Sequence, residues 1–249
     1  MNLVVYITQV PDTATRVKIG ADGRSIEEQE MTWVVNPYDE IAVEAALQIK
    51  EAGEGTVTAI GIGPERVATA LRSCLALGCD EAIHLKTAEP VDDPLQQARL
   101  AAAALGDQPY DLIFTGKQSV DDDTQAQGPM IATILGIPCA TEVTAIELAD
   151  GTVEVIREVE GGKQTLKLGL PALLTTQKGL NEPRYASLKG IMAAKKKEIA
   201  VVDSDPGATG LERVRLALPP ARPEGKIVGE GPEAVVELIR LLKDEAKIL

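Results

Sequence analysis

Over the first 145 residues or so, short apolar runs alternate with segments whose apolar positions recur at helical spacing. Leu3–Ile7 is one such run, closed by Pro11-Asp12, and reads as a strand followed by a loop. Beyond a polar excursion, Lys18–Glu30, Asn36-Pro37 opens a helix whose Ile41, Ala42, Ala45, Ala46 and Ile49 share a face, with Gly53 and Gly55 at its end. Thr56–Ile62 is nearly continuous apolar sequence, the pattern of a strand covered on both faces. A second helix runs through Val67, Ala70, Leu71, Cys74 and Leu75 to Gly78. Glu81–Leu85 is a third strand, Pro94–Leu105 an Ala-rich helix, and Leu112–Thr115 a fourth strand. After a polar loop, Pro129–Leu135 is a helix stopped by Gly136. This alternation predicts the α/β class: an open, mostly parallel sheet with flanking helices.

After Pro138 the rhythm changes. Thr141–Leu148 and Thr152–Val159 alternate apolar and polar residues around Ala149-Asp150-Gly151, which predicts a small antiparallel hairpin region. A turn at Glu160-Gly161-Gly162 leads to Gln164–Leu168, and Leu170–Thr175 is a further buried strand. From Thr176 little periodicity survives, apart from a short strand over Lys197–Val202. An amphipathic helix then spans Pro232–Ile248, with Val235, Val236, Leu238, Ile239, Leu241 and Leu242 on one broad face. The expected organisation is an α/β nucleotide-binding domain over 1–202 that includes a long loop, 176–198. Residues 203–249 form an extended linker and a C-terminal helical arm that lies on a partner subunit. A loop this long with few turns usually lies against something, serves as a binding device, or both.

Composition narrows the function classes. The chain of 249 residues is 45% apolar, enough for a sizeable core. A formal charge of −13 repels polyphosphate, which argues against nucleic acid as a partner. Lys195, Lys196 and Lys197 reverse that sign locally, either as a solvated face or as a patch for an acidic partner. No apolar run approaches the roughly 20 residues needed to cross a bilayer. The start, MNLVVYITQVPD, lacks a basic region and a small-residue cleavage site, so the expectation is a cytoplasmic protein without membrane insertion. Cys74, Cys79 and Cys139 form neither a CxxC motif nor an even disulfide set and read as small buried hydrophobes. His84 is the sole histidine; a Ser–His triad or multi-His metal site would have to pass through it, and its place at a strand end reads as structural.

Ligands of an open parallel sheet bind beyond the carboxyl ends of its strands. Here those ends are Thr8–Asp12, Ile62-Gly63-Pro64 and the loop Gly116, Lys117, Gln118, Ser119, Val120, Asp121, Asp122, Asp123, Thr124, Gln125, Ala126 and Gln127. That loop joins a strand to a helix start, and its free backbone N–H groups suit a nucleotide phosphate. Neither GxGxxG after the first strand nor GxxxxGK[ST] occurs. Asp121–Asp123 reads as a helix cap and dipole partner, because consecutive carboxylates cannot all face one Mg²⁺. Tyr38 either packs or stacks on a ligand ring. No catalytic set and no metal site emerge. Two readings stay open beside the one that follows: a free-standing adenine-nucleotide-binding regulatory module, and an enzyme using ATP through Asp121–Asp123.

Three blocks go further: NPYDEIAVEAAL (Asn36–Leu47), GKQSVDDDTQAQG (Gly116–Gly128) and PALLTTQKGLNEPRYASLKGIMAAKKKEI (Pro171–Ile199). Together they make Leu3 to about Val202 resemble the beta subunit of the electron transfer flavoprotein family. The resemblance implies an adenine nucleotide α-hydrolase-like fold and an electron carrier rather than an enzyme. It also implies a heterodimer with an alpha subunit that holds the redox FAD. The beta subunit in such pairs binds a structural AMP, or a second FAD in electron-bifurcating relatives. By matching position, nucleotide contacts fall at Tyr6, Asn36, Pro37, Tyr38, Asp39, Ile62 and Gly116–Gln127, with Tyr38 near the alpha-subunit flavin ring. Thr176–Glu198 matches a recognition loop that docks on acyl-CoA dehydrogenases or related flavin dehydrogenases. Leu188 is its apolar anchor, and Tyr185, Lys195, Lys196 and Lys197 are further partner contacts. Glu158 matches an acidic residue that pairs with an arginine of the alpha subunit. Two departures stand out. AMP-binding members often carry DDDxNQTG and bifurcating members DGDTAQVGP, whereas this chain has DDDTQAQGP, so the expectation is AMP with a second FAD as the alternative. Ala193 occupies a position that is basic in some relatives, which thins the basic patch.

Overall fold

β1 (Asn2–Ile7) is buried along almost its whole length because the sheet covers both of its edges and helices cover both of its faces. The structure is a computed structural model describing residues 1–53, 55–106, 109–222 and 224–249. In chain order the remaining elements are β2 (Gln9–Pro11), β3 (Trp33–Val35), α1 (Pro37–Ala52), β4 (Thr56–Gly63), α2 (Val67–Leu77) and β5 (Glu81–Lys86). They continue with α3 (Pro94–Gly106), β6 (Leu112–Gly116), α4 (Gln127–Leu135), β7 (Cys139–Ala149), β8 (Thr152–Val159) and β9 (Gly162–Gly169). The last are β10 (Ala172–Thr176), α5 (Leu188–Ala194), β11 (Ala200–Asp203) and α6 (Ala234–Asp244).

Nine strands form one sheet in the order β11-β5-β4-β1-β6-β10-β7-β8-β9. All neighbouring pairs from β11 to β7 are parallel, and β7–β8 and β8–β9 are antiparallel. Alternate residues of each strand feed opposite faces. Leu3, Val5 and Ile7 of β1 join Phe114 and Leu174 in a core with Ala42, Ala46 and Leu47 of α1 and Leu71 of α2. Val4 and Tyr6 point the other way and join Ile113 and Leu173 against Ala98, Leu105 and Ile131 of α3 and α4. Each such leucine or isoleucine contributes about 1.5–3 kcal/mol when fully removed from water.

The hairpin region is continuous with the main sheet: β7 pairs in parallel with β10 through Leu173–Cys139 and Leu174–Ala140. A register shift between Val143 and Ala145 bends β7, with Glu142 at φ 58. Two short features lay outside the periodic pattern. β2 and β3 pair antiparallel above the end of β1, each too short to show a period of two. α5 interrupts the loop, its start capped by the Ser187 hydroxyl, which accepts from Gly190 N.

His84 is buried with Nε2 2.9 Å from the Gly63 carbonyl oxygen. All three cysteines are free thiols; burial pushes Cys79 up to about 12 and Cys139 up to about 11. The segment after β11 is fastened to the body before the arm begins. Gln96 Nε2 donates to the Pro206 and Gly207 carbonyls, Gly210 N to Asp93, and Arg213 pairs with Asp92 at 2.7 Å. The middle of the linker, around position 223, lies outside the described residues. None of the residues of α6 is buried. Among the described residues no helix is long and apolar enough to cross a membrane.

Candidate functional site

Strand order reverses at β1: β4 and β5 lie to one side of it, β6 and β10 to the other. A crevice therefore opens where the chain leaves β1 and β6. Asp39, in the first turn of α1, spans it. One carboxylate oxygen accepts from Thr8 N just beyond β1 and the other from Gly116 N at the end of β6, both at 2.7 Å. The carboxyl is only 3% exposed. Burial lifts it to about 7, against the downward pull of the two backbone donors and of Asn36. Gly116 is required by this approach, since a Cβ there would lie 2.5 Å from the Asp39 oxygen and 2.6 Å from the Tyr38 Cβ.

Asn36, the residue before α1, ties down the following loop. Its amide donates to the Gln118 carbonyl at 2.9 Å and its side-chain oxygen accepts from Val120 N at 3.2 Å. The loop is then shaped from within. Asp122 accepts from the Ser119 hydroxyl at 2.8 Å and from Thr124 N at 3.0 Å, and Asp123 accepts from the Gln118 amide. Asp123 and Gln125 take positive φ, 54° and 52°. These bonds use the aspartates locally, and among the described residues no group of three or more His, Cys, Asp or Glu is placed to hold a metal ion.

The resulting cleft has a volume of about 930 Å³, within the range of about 300–1,000 Å³ usual for small-molecule sites. Tyr6, Asn36, Asp39, Ile62, Gly116, Gln118–Asp122 and Thr124–Gln127 line it. Pro37, Tyr38, Lys117 and Asp123 stand outside the lining; the Lys117 ammonium instead lies 5.5 Å over the Tyr38 ring and 3.8 Å from Glu142. Tyr6 donates to Gln97 Oε1 at 2.9 Å, and burial followed by the Asp39 charge pushes its phenol well above the ordinary value. At the loop's exit, α4 starts at Gln127 without a side-chain cap, and the buried Gln127 Nε2 has no hydrogen-bond partner. Gln127 lines the cleft, which also carries the carboxylates of Asp12, Glu28, Asp121 and Asp122.

Part of the lining escaped sequence reasoning. Arg66 lies 3.5 Å from the Trp33 ring centroid, donates to Gln9 Oε1 at 2.7 Å, and faces Glu28 at 3.6 Å. Arg213 and Leu216, from the segment after β11, close the far rim. The one available signal was Trp33, the only tryptophan, three residues ahead of NPYD.

The other singled-out residues lie away from the cleft. Tyr185 and Leu188 are 98% and 77% exposed. Lys195 and Lys196 are exposed, whereas Lys197 turns back and donates to the Cys79 carbonyl at 2.6 Å. Glu158 is exposed on β8, opposite Lys163 of β9.

Comparison with known proteins converges on one family. The model of the electron transfer flavoprotein domain matches residues 24–206. Electron transfer flavoprotein subunit beta of Bacillus subtilis is 38% identical over 259 residues, covering the whole of both chains. The subunit beta of Bradyrhizobium diazoefficiens is 40% identical over 251 residues, and the mitochondrial subunit beta of Arabidopsis thaliana 39% over 256, again with both chains covered in full.

Proposed function

Because this chain belongs to the electron transfer flavoprotein family as a beta subunit, we propose that it binds a structural AMP in the switch-point cleft and pairs with an alpha subunit holding FAD. In this reading it docks on acyl-CoA dehydrogenase-type partners as an electron carrier. The observation that carries the nucleotide assignment is the closure of the crevice by Asp39 and Asn36, which presents the 118–127 loop and the uncapped start of α4 to one cleft. The fit is chemical as well as spatial. Backbone N–H groups at a helix start suit a phosphate, and Gln127 Nε2 is a buried donor without a partner. Asn36 and the loop hold the ligand, while Tyr6 and Ile62 flank it.

When bound by the alpha subunit, FAD supplies the one- and two-electron chemistry. The residues of this chain contribute surface: Tyr38 and Glu158 toward the flavin side, and Leu188 with Tyr185 toward the dehydrogenase. One exposed apolar anchor with the neighbouring lysines as steering charges gives a contact that forms quickly and releases quickly.

A second reading, in which a second FAD replaces AMP and the carrier is of the bifurcating type, draws support from the reach of the cleft. It runs past the switch point to Trp33, Arg66 and Arg213, further than a mononucleotide requires. A free-standing regulatory module fits less well, since Leu188, Val236 and Ile227 would all stay in water. The deciding experiment is acid release and identification of small molecules from the complex co-purified with its alpha subunit. One FAD with one AMP is expected. Two FAD establish the second reading, and one FAD with no other nucleotide overturns the cleft assignment.

A further inference from the structure

The loop between β10 and β11 exposes Tyr185, Leu188, Ile191 and Met192, and only Leu180, Ala194 and Ile199, towards its ends, pack on the core, so burial of side chains does not hold the backbone at 185–189. Polar clamps do. Asn181 Nδ2 donates to the Ile41 carbonyl at 3.0 Å. Arg184 Nε and Nη2 donate to the two carboxylate oxygens of Glu44 at 2.7 and 3.0 Å, and Nη1 and Nη2 to those of Glu51 at 2.5 and 2.9 Å. Glu44 is 4% exposed. Burial raises its carboxyl, but the Arg184 side chain, the Gln48 amide and the Arg184 backbone N–H together more than offset this and hold it below the usual carboxylate range. A planar guanidinium can bridge two carboxylates in this way, whereas an ammonium cannot.

On the other side of the loop, Gly190 lies so close to the Ala76 carbonyl of α2 that a Cβ would collide with it. Arg72 donates to the Ala194 carbonyl at 2.6 Å and also to that of Lys197. Residues 185–189 therefore bridge two fixed points, and this bridge carries Tyr185 and Leu188.

We propose that Arg184 is the positioning residue of the docking loop, holding Tyr185 and Leu188 on a pre-ordered backbone by clamping Glu44 and Glu51 of α1. The inference rests on the docking role proposed for this loop. A pre-ordered loop binds without first losing conformational freedom, so loosening it weakens the encounter and leaves the electron step itself alone.

The test uses the full heterodimer as electron acceptor of an acyl-CoA dehydrogenase supplied with its acyl-CoA, with the carrier concentration varied. Arg184→Ala is expected to raise KM for the carrier about tenfold, with kcat, flavin content and nucleotide content unchanged. Leu188→Ala is expected to raise KM comparably. The double variant is expected to resemble the worse single one, because Arg184 acts through the residues it positions. Fully multiplicative effects mean that Arg184 touches the dehydrogenase itself and overturn the inference. An unchanged KM in Arg184→Ala beside a raised KM in Leu188→Ala overturns the positioning role while sparing the docking role. No effect of Leu188→Ala overturns the docking role and the inference with it. Should Arg184→Ala fail to fold, Glu51→Gln removes only the exposed half of the clamp. It is expected to raise KM two- to threefold, about half a power of ten, and to do nothing further in the Leu188→Ala background.

Discussion

α1 and α6 are both helices with an apolar face, and they meet opposite fates. In α1 the residues Ile41 to Leu47 are all buried, including Glu44, and Asp39 is buried at its start. In α6 no residue is buried, and Val236 is 77% exposed. Both helices are signalled by apolar positions at helical spacing, a single stripe in α6 and nearly the whole circumference over Ile41–Leu47 in α1. What differs is whether this chain supplies the matching surface. α1 finds β1, β4, β6 and β10 and serves as the spine of both proposed functional regions, with the cleft at its first turn and the loop clamp further along. α6 finds no such surface here, and an isolated helix of that length is marginal in water.

The largest effect should come from cutting into α1. Leu47→Ala, at a fully buried position packed against Gly78, is expected to cost about 2–5 kcal/mol in urea unfolding. Val236→Asp on α6 should change the stability of the chain alone by less than about 0.5 kcal/mol. If the two costs are similar, α6 packs on this chain after all.

Asp39→Asn comes next. One of the two backbone donors at the crevice loses its acceptor, for an expected cost of about 1–3 kcal/mol at pH 5. The pH dependence is a separate readout. The folded carboxyl lies at about 7 against an ordinary 3.8, so the folded state binds the proton more tightly than the unfolded state. Stability from this group is fully present below about pH 4, falls as pH rises, and levels off above about 7. Unfolding measured from pH 4 to 8 should show a shallower decline in Asp39→Asn than in the unaltered chain.

The arm gives the third contrast. Val236→Asp with Ile239→Asp is expected to weaken association with the alpha subunit at least about tenfold by size-exclusion or calorimetric titration. An unchanged affinity would remove α6 from the interface. Smallest of all is the lysine run. Exchanging both Lys195 and Lys196 for alanine should lower the dehydrogenase association rate only a few-fold, and only at low salt. Lys197→Ala should instead cost about 1 kcal/mol of stability through the lost bond to the Cys79 carbonyl.

Legibility followed the range of the interactions. β1, β4, β5 and β6 were readable because strands covered on both faces are short continuous apolar runs. α1 to α4 were readable from their spacing and from the glycines that stop α1, α2 and α4. β2, β3 and α5 were not, since three- and seven-residue elements are too short to show a period. In the cleft, the 116–127 loop stood out because it follows a strand and precedes a helix. Arg66 did not, because its partners Trp33, Gln9 and Glu28 are remote in the chain and Arg66 itself sits on an unremarkable helix start. The lysine run looked uniform in sequence, yet Lys197 differs from its neighbours because only its side chain reaches the end of α2.

By itself the sequence determined the class of fold, the family, the location of the loop that lines the cleft, and the presence of an apolar surface on the C-terminal helix. These depend on neighbours two to four residues apart, or on contiguous motifs, which the order of residues states directly. Only the tertiary structure decided which residues meet: Asp39 with Thr8 and Gly116, Arg184 with Glu44 and Glu51, and the strap of residues 205–216 with the rim of the cleft. Those contacts join positions 31 to 140 residues apart. They form because the strand order places β1 between β4 and β6, so that the start of α1 faces both strand ends at once.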